Sequence, residues 1–103
     1  MALQHWGKCF DNARGFCTYC GDDLLASIST FWAAQRDHVV ARAADGTDEV
    51  ANLVICCPSC NQALCQASDL GTVEERRTYI QDLLRKRRAT YEEWKVALRG
   101  SDA

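Results

Sequence analysis

The sequence predicts a small α+β domain built around a metal site, and three observations carry this prediction. Two C-x-x-C pairs, at 17–20 and 57–60, can bring four cysteines to one metal ion. Two short β-prone runs, at 36–40 and 53–55, are separated by a loop with a turn signal. Helix-start signals follow from residue 58 onward, so we expect C-terminal helices packed on a two-stranded core.

Length and composition favour a single domain. At 103 residues the chain has room for one core, so we expect one domain over 1–103, with a motif core at 17–64 and a helical extension at 69–100. The opening MALQHWGKCF lacks the pattern of a secretory signal, and no apolar run approaches the length of a membrane span. We therefore expect a cytoplasmic protein with no membrane partner, in which paired cysteines bind metal rather than form disulfides.

Charge is unevenly distributed along the chain, although the net charge is only −2. Residues 1–73 hold four Lys and Arg against eight Asp and Glu, whereas residues 74–99 hold eight against five. The second part includes the basic run Arg85, Lys86, Arg87 and Arg88. Such a run can contact phosphate locally, but it cannot steer DNA from a distance as a basic domain does. A solvated helix face explains the run equally well.

The N-terminal third gives the least regular pattern. Residues 1–16 carry aromatic side chains without a clean period, so we expect an irregular or short helical segment packed on the metal site. Residues 22–35 fit a helical stripe, while 28–32 also fit a strand. Both interpretations stay open for this segment.

The C-terminal third predicts two helices. Thr72-Val-Glu-Glu75 has the form of a capping box and opens a helix to about residue 88. The same form at Thr90-Tyr-Glu-Glu93 predicts a last helix that ends near Gly100. The inward face of the first helix would consist of Val73, Ile80, Leu83 and Leu84.

The four paired cysteines are the predicted ligands of a structural zinc ion. They are Cys17, Cys20, Cys57 and Cys60. Zinc prefers a closed tetrahedral thiolate shell at such sites, and Gly21 permits the positive φ that the first turn needs. The alternatives are buried free cysteines or a redox pair, but two pairs in one small chain favour metal. We expect the remaining cysteines, Cys9, Cys56 and Cys65, to be small core residues.

A second constellation overlaps the cysteine pairs. Asp37 and His38 are adjacent, Asn52 follows after thirteen residues, and Asn61 follows after eight more, directly behind the second C-x-x-C. The pattern D-H-x(13)-N-x(8)-N resembles the HNH endonuclease family, and the upstream C-x-x-C-G resembles its zinc-binding subgroup. This resemblance covers roughly residues 17–64.

The resemblance implies a ββα-metal fold of two strands and a helix around one catalytic divalent cation. His38 would act as the general base on water. Asp37 and Asn61 would bind the cation, and Asn52 would brace the hairpin loop through hydrogen bonds to the backbone. Oxygen ligands of this kind suit Mg²⁺ or Mn²⁺.

The function that follows is hydrolysis of DNA phosphodiester bonds. A neutral imidazole can take a proton from water near neutral pH, and a bound cation neutralises phosphate charge. DNA contacts would come from Arg36, Arg42, Arg85, Lys86, Arg87 and Arg88. The alternative is a zinc-stapled module that binds nucleic acid or protein without cutting. A protein partner or a homodimer is compatible with either function, and a redox role ranks third.

Overall fold

The computed structural model describes residues 5–40, 44–67 and 69–100. Along the chain it contains helix α1 (His5–Asn12), helix α2 (Ile28–Ala33), strand β1 (Gln35–His38), strand β2 (Leu53–Cys56), helix α3 (Pro58–Leu64) and helix α4 (Val73–Arg99). A single 3₁₀ turn, Val50–Asn52, leads directly into β2. This is the α+β architecture that the sequence predicts, and β1, β2 and α3 form its ββα unit.

The two strands form an antiparallel sheet in which Gln35 lies opposite Cys56 and His38 lies opposite Leu53. Strand β1 ends at His38, two residues before the predicted end of the strand. It ends there because the side-chain amide of Asn52, rather than the backbone of β2, binds the N–H and C=O groups of Val40. The sheet therefore gives way to a side-chain-braced loop directly after His38.

Helix α3 starts where the sequence predicts it. Pro58 occupies the first turn, where its missing N–H costs nothing. Cys57 is the N-cap residue, and its Sγ accepts a hydrogen bond from the backbone N–H of Cys60 at 3.4 Å. The start of α3 thus fixes two of the four paired cysteines on one helical turn.

The ambiguous segment 22–35 contains the short helix α2 and not a strand over 28–32. Ser27 caps α2, and a reciprocal pair of hydrogen bonds with Thr30 completes a capping box. Most of the apolar stripe does not face the core, because Ile28 and Trp32 are exposed while Leu24, just before the helix, is buried.

The C-terminal third forms one helix of 27 residues, so the prediction of two helices is wrong. Thr72 does cap its start, with Oγ1 accepting from the N–H of Glu75 at 3.1 Å. Thr90 does not start a second helix, because no Gly or Pro near it interrupts the hydrogen-bond ladder. Of the predicted inward residues Ile80 is buried, whereas Leu84 is 39% exposed.

The core joins the sheet, α3 and the first turns of α4. Its most buried large side chains are Tyr19, Leu24, Ile55, Leu64 and Ile80. The N-terminal segment contributes α1, whose Phe10 lies 5.6 Å from Trp6 and 5.3 Å from Phe31, centroid to centroid. Phe10 belongs to the same core cluster as three of the paired cysteines. In the described part of the chain, no helix is long and apolar enough to cross a membrane.

Candidate metal centre and active site

Four thiol groups from two distant segments meet at one point. The Sγ atoms of Cys17, Cys20, Cys57 and Cys60 all lie within 4.8 Å of one another, and those of Cys20 and Cys57 are 3.8 Å apart. With Zn–S bonds of about 2.3 Å, the sulfur atoms of a tetrahedral site lie about 3.8 Å from each other. The cluster therefore has the ligand type, number and spacing of a structural zinc site, as the sequence predicts.

Backbone hydrogen bonds shape the first cysteine turn. The N–H of Gly21 donates to the carbonyl of Cys17 at 3.0 Å, and Gly21 has the positive φ of 81° that a side chain would strain. Thr18 donates to the carbonyl of Ile55 at 3.0 Å, which ties this turn to β2. The N–H of Cys57 donates to Cys17 Sγ at 3.3 Å. The two cysteine pairs are therefore joined by a protein hydrogen bond as well as by any shared metal ion.

Hydrogen bonds among the paired cysteines shift their thiol pKa values in opposite directions, because hydrogen bonds with Cys17 raise the pKa of Cys20 and of Cys60. Hydrogen bonds from Cys20, and then from Cys57 and Cys60, lower the pKa of the Cys17 thiol, which suits a metal-binding thiolate. Burial raises the pKa of Cys56, so this thiol stays protonated beside its ligating neighbour.

Only part of the prediction for the other cysteines holds. Cys9 and Cys56 are buried core residues, but Cys65 is exposed because it follows the last turn of α3. The prediction that Cys65 is a core residue is therefore wrong.

The carboxylate of Asp37 lies in a buried polar cluster. Its Oδ2 accepts a hydrogen bond from the Tyr19 hydroxyl at 2.6 Å and one from Arg76 Nε at 3.1 Å. Arg76 Nη2 lies 2.8 Å from the same oxygen. No hydrogen bond from another described residue reaches Oδ1. Asp37 is thus anchored through one oxygen, while the other remains able to bind a cation.

Arg76 joins three segments at this cluster. Its Nη1 donates to the carbonyl of Leu70 at 2.7 Å and to that of Val39 at 3.3 Å, and its side chain is only 4% exposed. Burial, together with the adjacent Asp37 carboxylate, raises the pKa of Tyr19, so its hydroxyl remains a donor. A buried charge needs such partners, because an unpaired one would be strongly destabilising.

His38 turns toward the loop rather than toward the buried cluster. Its Nε2 lies 2.7 Å from Oδ1 of Asp48, and its side chain is 28% exposed. A carboxylate in this position fixes the orientation of the ring. The arrangement leaves Nδ1 as the ring nitrogen that can act on water.

Asn52 connects the two ends of the loop. Its Oδ1 accepts from the N–H of Val40 at 2.8 Å, and its Nδ2 donates to the carbonyls of Val40 and Thr47 at 2.9 and 2.8 Å. These three bonds satisfy backbone groups that β2 leaves unpaired. The loop that carries Asp48 is thereby held close to the end of β1.

Asn61 is half-buried on α3, which packs against β1. Its backbone N–H donates to the carbonyl of Cys57 at 3.1 Å, as expected inside a helix. Its side-chain amide makes no hydrogen bond to another described residue. Asn61 therefore has a side-chain oxygen to offer a ligand, and its catalytic role stays a prediction, as do those of Asp37, His38 and Asn52.

The predicted DNA-contacting residues have different surroundings. The guanidinium of Arg36 lies 4.9 Å from the centroid of the Trp6 ring, and Arg42 falls outside the described residues. Arg85 and Lys86 bind Asp82 at 2.8 and 3.2 Å, and Lys86, followed by Arg85, lowers the pKa of that carboxyl.

Arg87 and Arg88 are exposed on α4 and make no ion pair with another described residue. They are the two members of the basic run that do not contact Asp82.

The ββα unit and the four-cysteine cluster define a zinc-binding ββα-metal domain. The family model that describes HNH endonucleases matches residues 17–66, which include both C-x-x-C pairs, both strands and α3. Residues 17–66 are therefore similar to the HNH endonuclease family. No curated protein and no solved structure matched the chain.

Three site residues escaped the sequence-based prediction. Tyr19 stands between two zinc-binding cysteines, Asp48 lies in the loop, and Arg76 lies outside the family segment. A capping box at Thr72 signalled the helix that carries Arg76 but not the direction of its side chain. The sequence does not distinguish a buried arginine from an exposed one, since most polar residues on a helix are exposed.

Helix α4 also donates hydrogen bonds to the turn that carries Cys17 and Cys20. Arg77 donates to the carbonyl of Thr18 at 3.0 and 2.8 Å, and Gln81 donates to the carbonyl of Tyr19 at 3.0 Å. The helical extension is therefore bound both to the metal cluster and to the Asp37 cluster.

Proposed function

We propose that this protein is a metal-dependent endonuclease that hydrolyses DNA phosphodiester bonds and leaves 5′-phosphate and 3′-hydroxyl ends. The observation that carries the proposal is the pairing of His38 with Asp48, at the end of β1 in the HNH segment. A histidine oriented by a carboxylate is a competent general base. In this function, His38 Nδ1 takes a proton from the attacking water, and Asp48 stabilises the imidazolium that results.

The donor groups near β1 fit a catalytic divalent cation. Asp37 offers Oδ1, because Tyr19 and Arg76 engage only Oδ2, and Asn61 offers an amide oxygen. Such oxygen ligands suit Mg²⁺ or Mn²⁺. When bound, the cation would neutralise charge on the phosphate. Tyr19 and Arg76 would keep the Asp37 carboxylate in one orientation, as second-layer partners of metal ligands generally do.

The structural zinc would serve a separate purpose. The cluster of four cysteines joins the turn at 17–20 to the start of α3, and α3 carries Asn61 directly after Cys60. Zinc binding would therefore fix the position of Asn61 relative to β1. Nucleic-acid contacts would come from Arg36, Arg42 and the unpaired cations of the basic run, Arg87 and Arg88.

One observation favours a second candidate, a zinc-stapled module that binds nucleic acid or protein without cutting. The guanidinium of Arg76 lies 2.8 Å from Asp37 Oδ2, so a positive charge already compensates the carboxylate. This charge opposes the binding of a cation at Oδ1, because like charges repel at short range. In this case the Asp37 cluster would be a structural ion pair.

A plasmid-nicking assay distinguishes the two functions. Zinc-loaded protein is incubated with supercoiled DNA and Mg²⁺ or Mn²⁺, beside His38→Ala and the control Gln35→Ala, an exposed residue of the same strand. For a nuclease, we expect His38→Ala to lower the cleavage rate by at least about 100-fold and Gln35→Ala to leave it unchanged. Absence of cleavage by every variant, with zinc still bound, would favour the binding module, and equal cleavage by His38→Ala would exclude His38 as the base.

A further inference from the structure

The C-terminal half of α4 extends away from the rest of the described domain. The helix contains 27 residues, and its two buried residues, Arg76 and Ile80, both lie in the first eight. Residues 85–99 span about 22 Å at 1.5 Å per residue, and all but one of them are exposed. Most helix stability in proteins comes from packing of an apolar face. A helical segment of this length without packing therefore indicates that another molecule covers it.

Four large apolar side chains form a stripe along this half of the helix, which we call the α4 stripe. Leu84, Tyr91, Trp94 and Leu98 are 39%, 54%, 63% and 80% exposed. Their spacings of seven, three and four residues place them on one face. Single exposed apolar residues are common on protein surfaces, but several on one helix face, as at Tyr91, Trp94 and Leu98, mark an interaction surface.

Basic side chains lie in and beside the α4 stripe, since Arg87 occupies the position between Leu84 and Tyr91 and Lys95 follows Trp94. The surface around Tyr91, Trp94 and Leu98 is lined by Arg87, Lys95 and Arg99 and by no acidic residue. Lys95 Nζ lies 5.6 Å from the centroid of the Tyr91 ring, so one cation sits over the apolar surface itself. A partner of this face must therefore combine an apolar surface with negative charge.

A second copy of the chain does not meet this requirement. If two stripes pair in parallel and in register, Arg87 faces Arg87. If they pair antiparallel about Tyr91, Arg87 faces Lys95. Both alignments bring like charges together at the seam, which is destabilising at these positions of paired helices. In the antiparallel alignment that sets Tyr91 against Trp94, Arg87 faces Leu98 and Lys95 faces Thr90, so no acidic side chain lies opposite either cation.

Nucleic acid also fits the stripe incompletely. Bases can stack on Tyr91 and Trp94, and phosphates can pair with the basic side chains. The leucines at the two ends, Leu84 and Leu98, gain nothing from such a ligand, although Leu98 is the most exposed member. The seven-residue repeat that includes them is instead what a partner helix contacts.

We propose that the α4 stripe docks an acidic amphipathic helix of another protein. The apolar side of that helix would cover Leu84, Tyr91, Trp94 and Leu98. Its flanking Asp or Glu residues would pair with Lys95 and Arg99, which have no role in the proposed nuclease function. This proposal does not depend on whether the HNH segment cuts DNA.

A pair of synthetic peptides tests the proposal. Both are four-heptad helices with Leu at positions a and d; one carries Glu at e and g, and the other carries Lys there. Fluorescence anisotropy of the labelled peptides is measured with the full, zinc-loaded chain. We expect the Glu peptide to bind at least about tenfold more tightly than the Lys peptide, because only the former complements the basic side chains. Equal binding of the two peptides, or no binding of either, would overturn the proposal.

Matched variants locate the binding surface. Trp94→Ala combined with Leu98→Ala should weaken binding of the Glu peptide by at least about tenfold. Trp32→Ala is the control, since Trp32 is 84% exposed but lies on α2. Zinc content and helical circular dichroism should be unchanged in all three proteins. Loss of binding with Trp32→Ala, or full binding by the double variant, would contradict the assignment.

Two further measurements test whether a second copy of the chain or nucleic acid occupies the α4 stripe instead. Sedimentation of the chain alone should give a monomer, and a dimer that Trp94→Ala dissociates would show that the stripe pairs with itself. A labelled single-stranded 20-mer should bind the wild type and Trp94→Ala equally. If Trp94→Ala weakens DNA binding while the Glu peptide fails to bind, the face is a nucleic-acid surface and the proposal is wrong.

Discussion

Arg76 of α4 binds the Asp37 carboxylate of β1, with Nη2 2.8 Å and Nε 3.1 Å from Oδ2, across 39 positions of the chain. The pair joins a helix outside the HNH segment to the strand that carries two of its motif residues. The orientation of Asp37 therefore depends on a residue that the family motif does not contain.

Replacement of Arg76 should strongly lower the free energy of unfolding. Arg76→Ala leaves the Asp37 carboxylate buried without a counter-charge, so we expect a loss of about 3–5 kcal/mol in the free energy of unfolding, measured by urea denaturation. Arg88→Ala, at an exposed site of the same helix, should change it by less than about 0.5 kcal/mol. Adding Asp37→Asn to Arg76→Ala should recover part of the loss, and a further loss instead would contradict the charge explanation.

Loss of the Tyr19 hydroxyl should have a smaller effect. Tyr19→Phe keeps the ring in the core but removes a hydrogen bond to a charged acceptor, for which we expect about 1.5–3 kcal/mol of destabilisation. Tyr91→Phe serves as the control, because Tyr91 is exposed on α4. Thermal or urea unfolding of both variants measures the difference. Equal stability of Tyr19→Phe and wild type would show that the 2.6 Å contact contributes nothing.

Zinc binding should depend on the paired cysteines alone. We expect about one zinc ion per chain in the wild type, its loss in Cys57→Ser, and unfolding upon chelation. Cys65→Ser should keep both zinc and fold, because Cys65 is exposed and outside the cluster. Elemental analysis together with circular dichroism measures these outcomes. Retention of zinc by Cys57→Ser would mean that a different residue completes the site.

Asn52→Ala should loosen the loop. The change removes three hydrogen bonds and leaves the backbone groups of Val40 without protein partners, so we expect a loss of about 1–3 kcal/mol. Hydrogen exchange of the Val40 amide should become faster, whereas exchange in α3 should not. Asn12→Ala, at an exposed site of α1, is the matched control. Unchanged protection of Val40 would show that Asn52 does not hold the loop in solution.

Removal of the Asp48 charge tests the role of the histidine pair. If the protein is a nuclease, Asp48→Asn should lower the single-turnover cleavage rate by about 10- to 100-fold, because the ring loses the carboxylate that orients it. Glu49→Gln, the exposed neighbour, should cleave at the wild-type rate. Zinc content should be the same in both variants. A wild-type rate for Asp48→Asn would remove Asp48 from the catalytic site.

The sequence by itself determined the parts of this protein that depend on local chemistry and spacing. Cysteine pairs three residues apart predict a metal-binding turn, and Pro58 after Cys57 predicts a helix start, because each signal lies within one turn of the chain. The spacing of Asp37, His38, Asn52 and Asn61 extends over residues 37–61, and it identified the family segment because it resembles a known motif. The capping-box pattern, a Ser or Thr followed three residues later by Glu, correctly predicted a helix start at Thr72. The same pattern at Thr90 lies inside a helix and did not mark a start.

Only the tertiary structure decided which partners these residues have. Arg76, Tyr19 and Asp48 reach the motif residues across long or irregular stretches, and no periodicity encodes the direction of a polar side chain at such a distance. The tertiary structure also decided that Leu84 lies outside the core while Arg76 lies inside it. The cause is geometric. A helix of 27 residues is longer than the core of a domain this small, so only its first turns pack against the core.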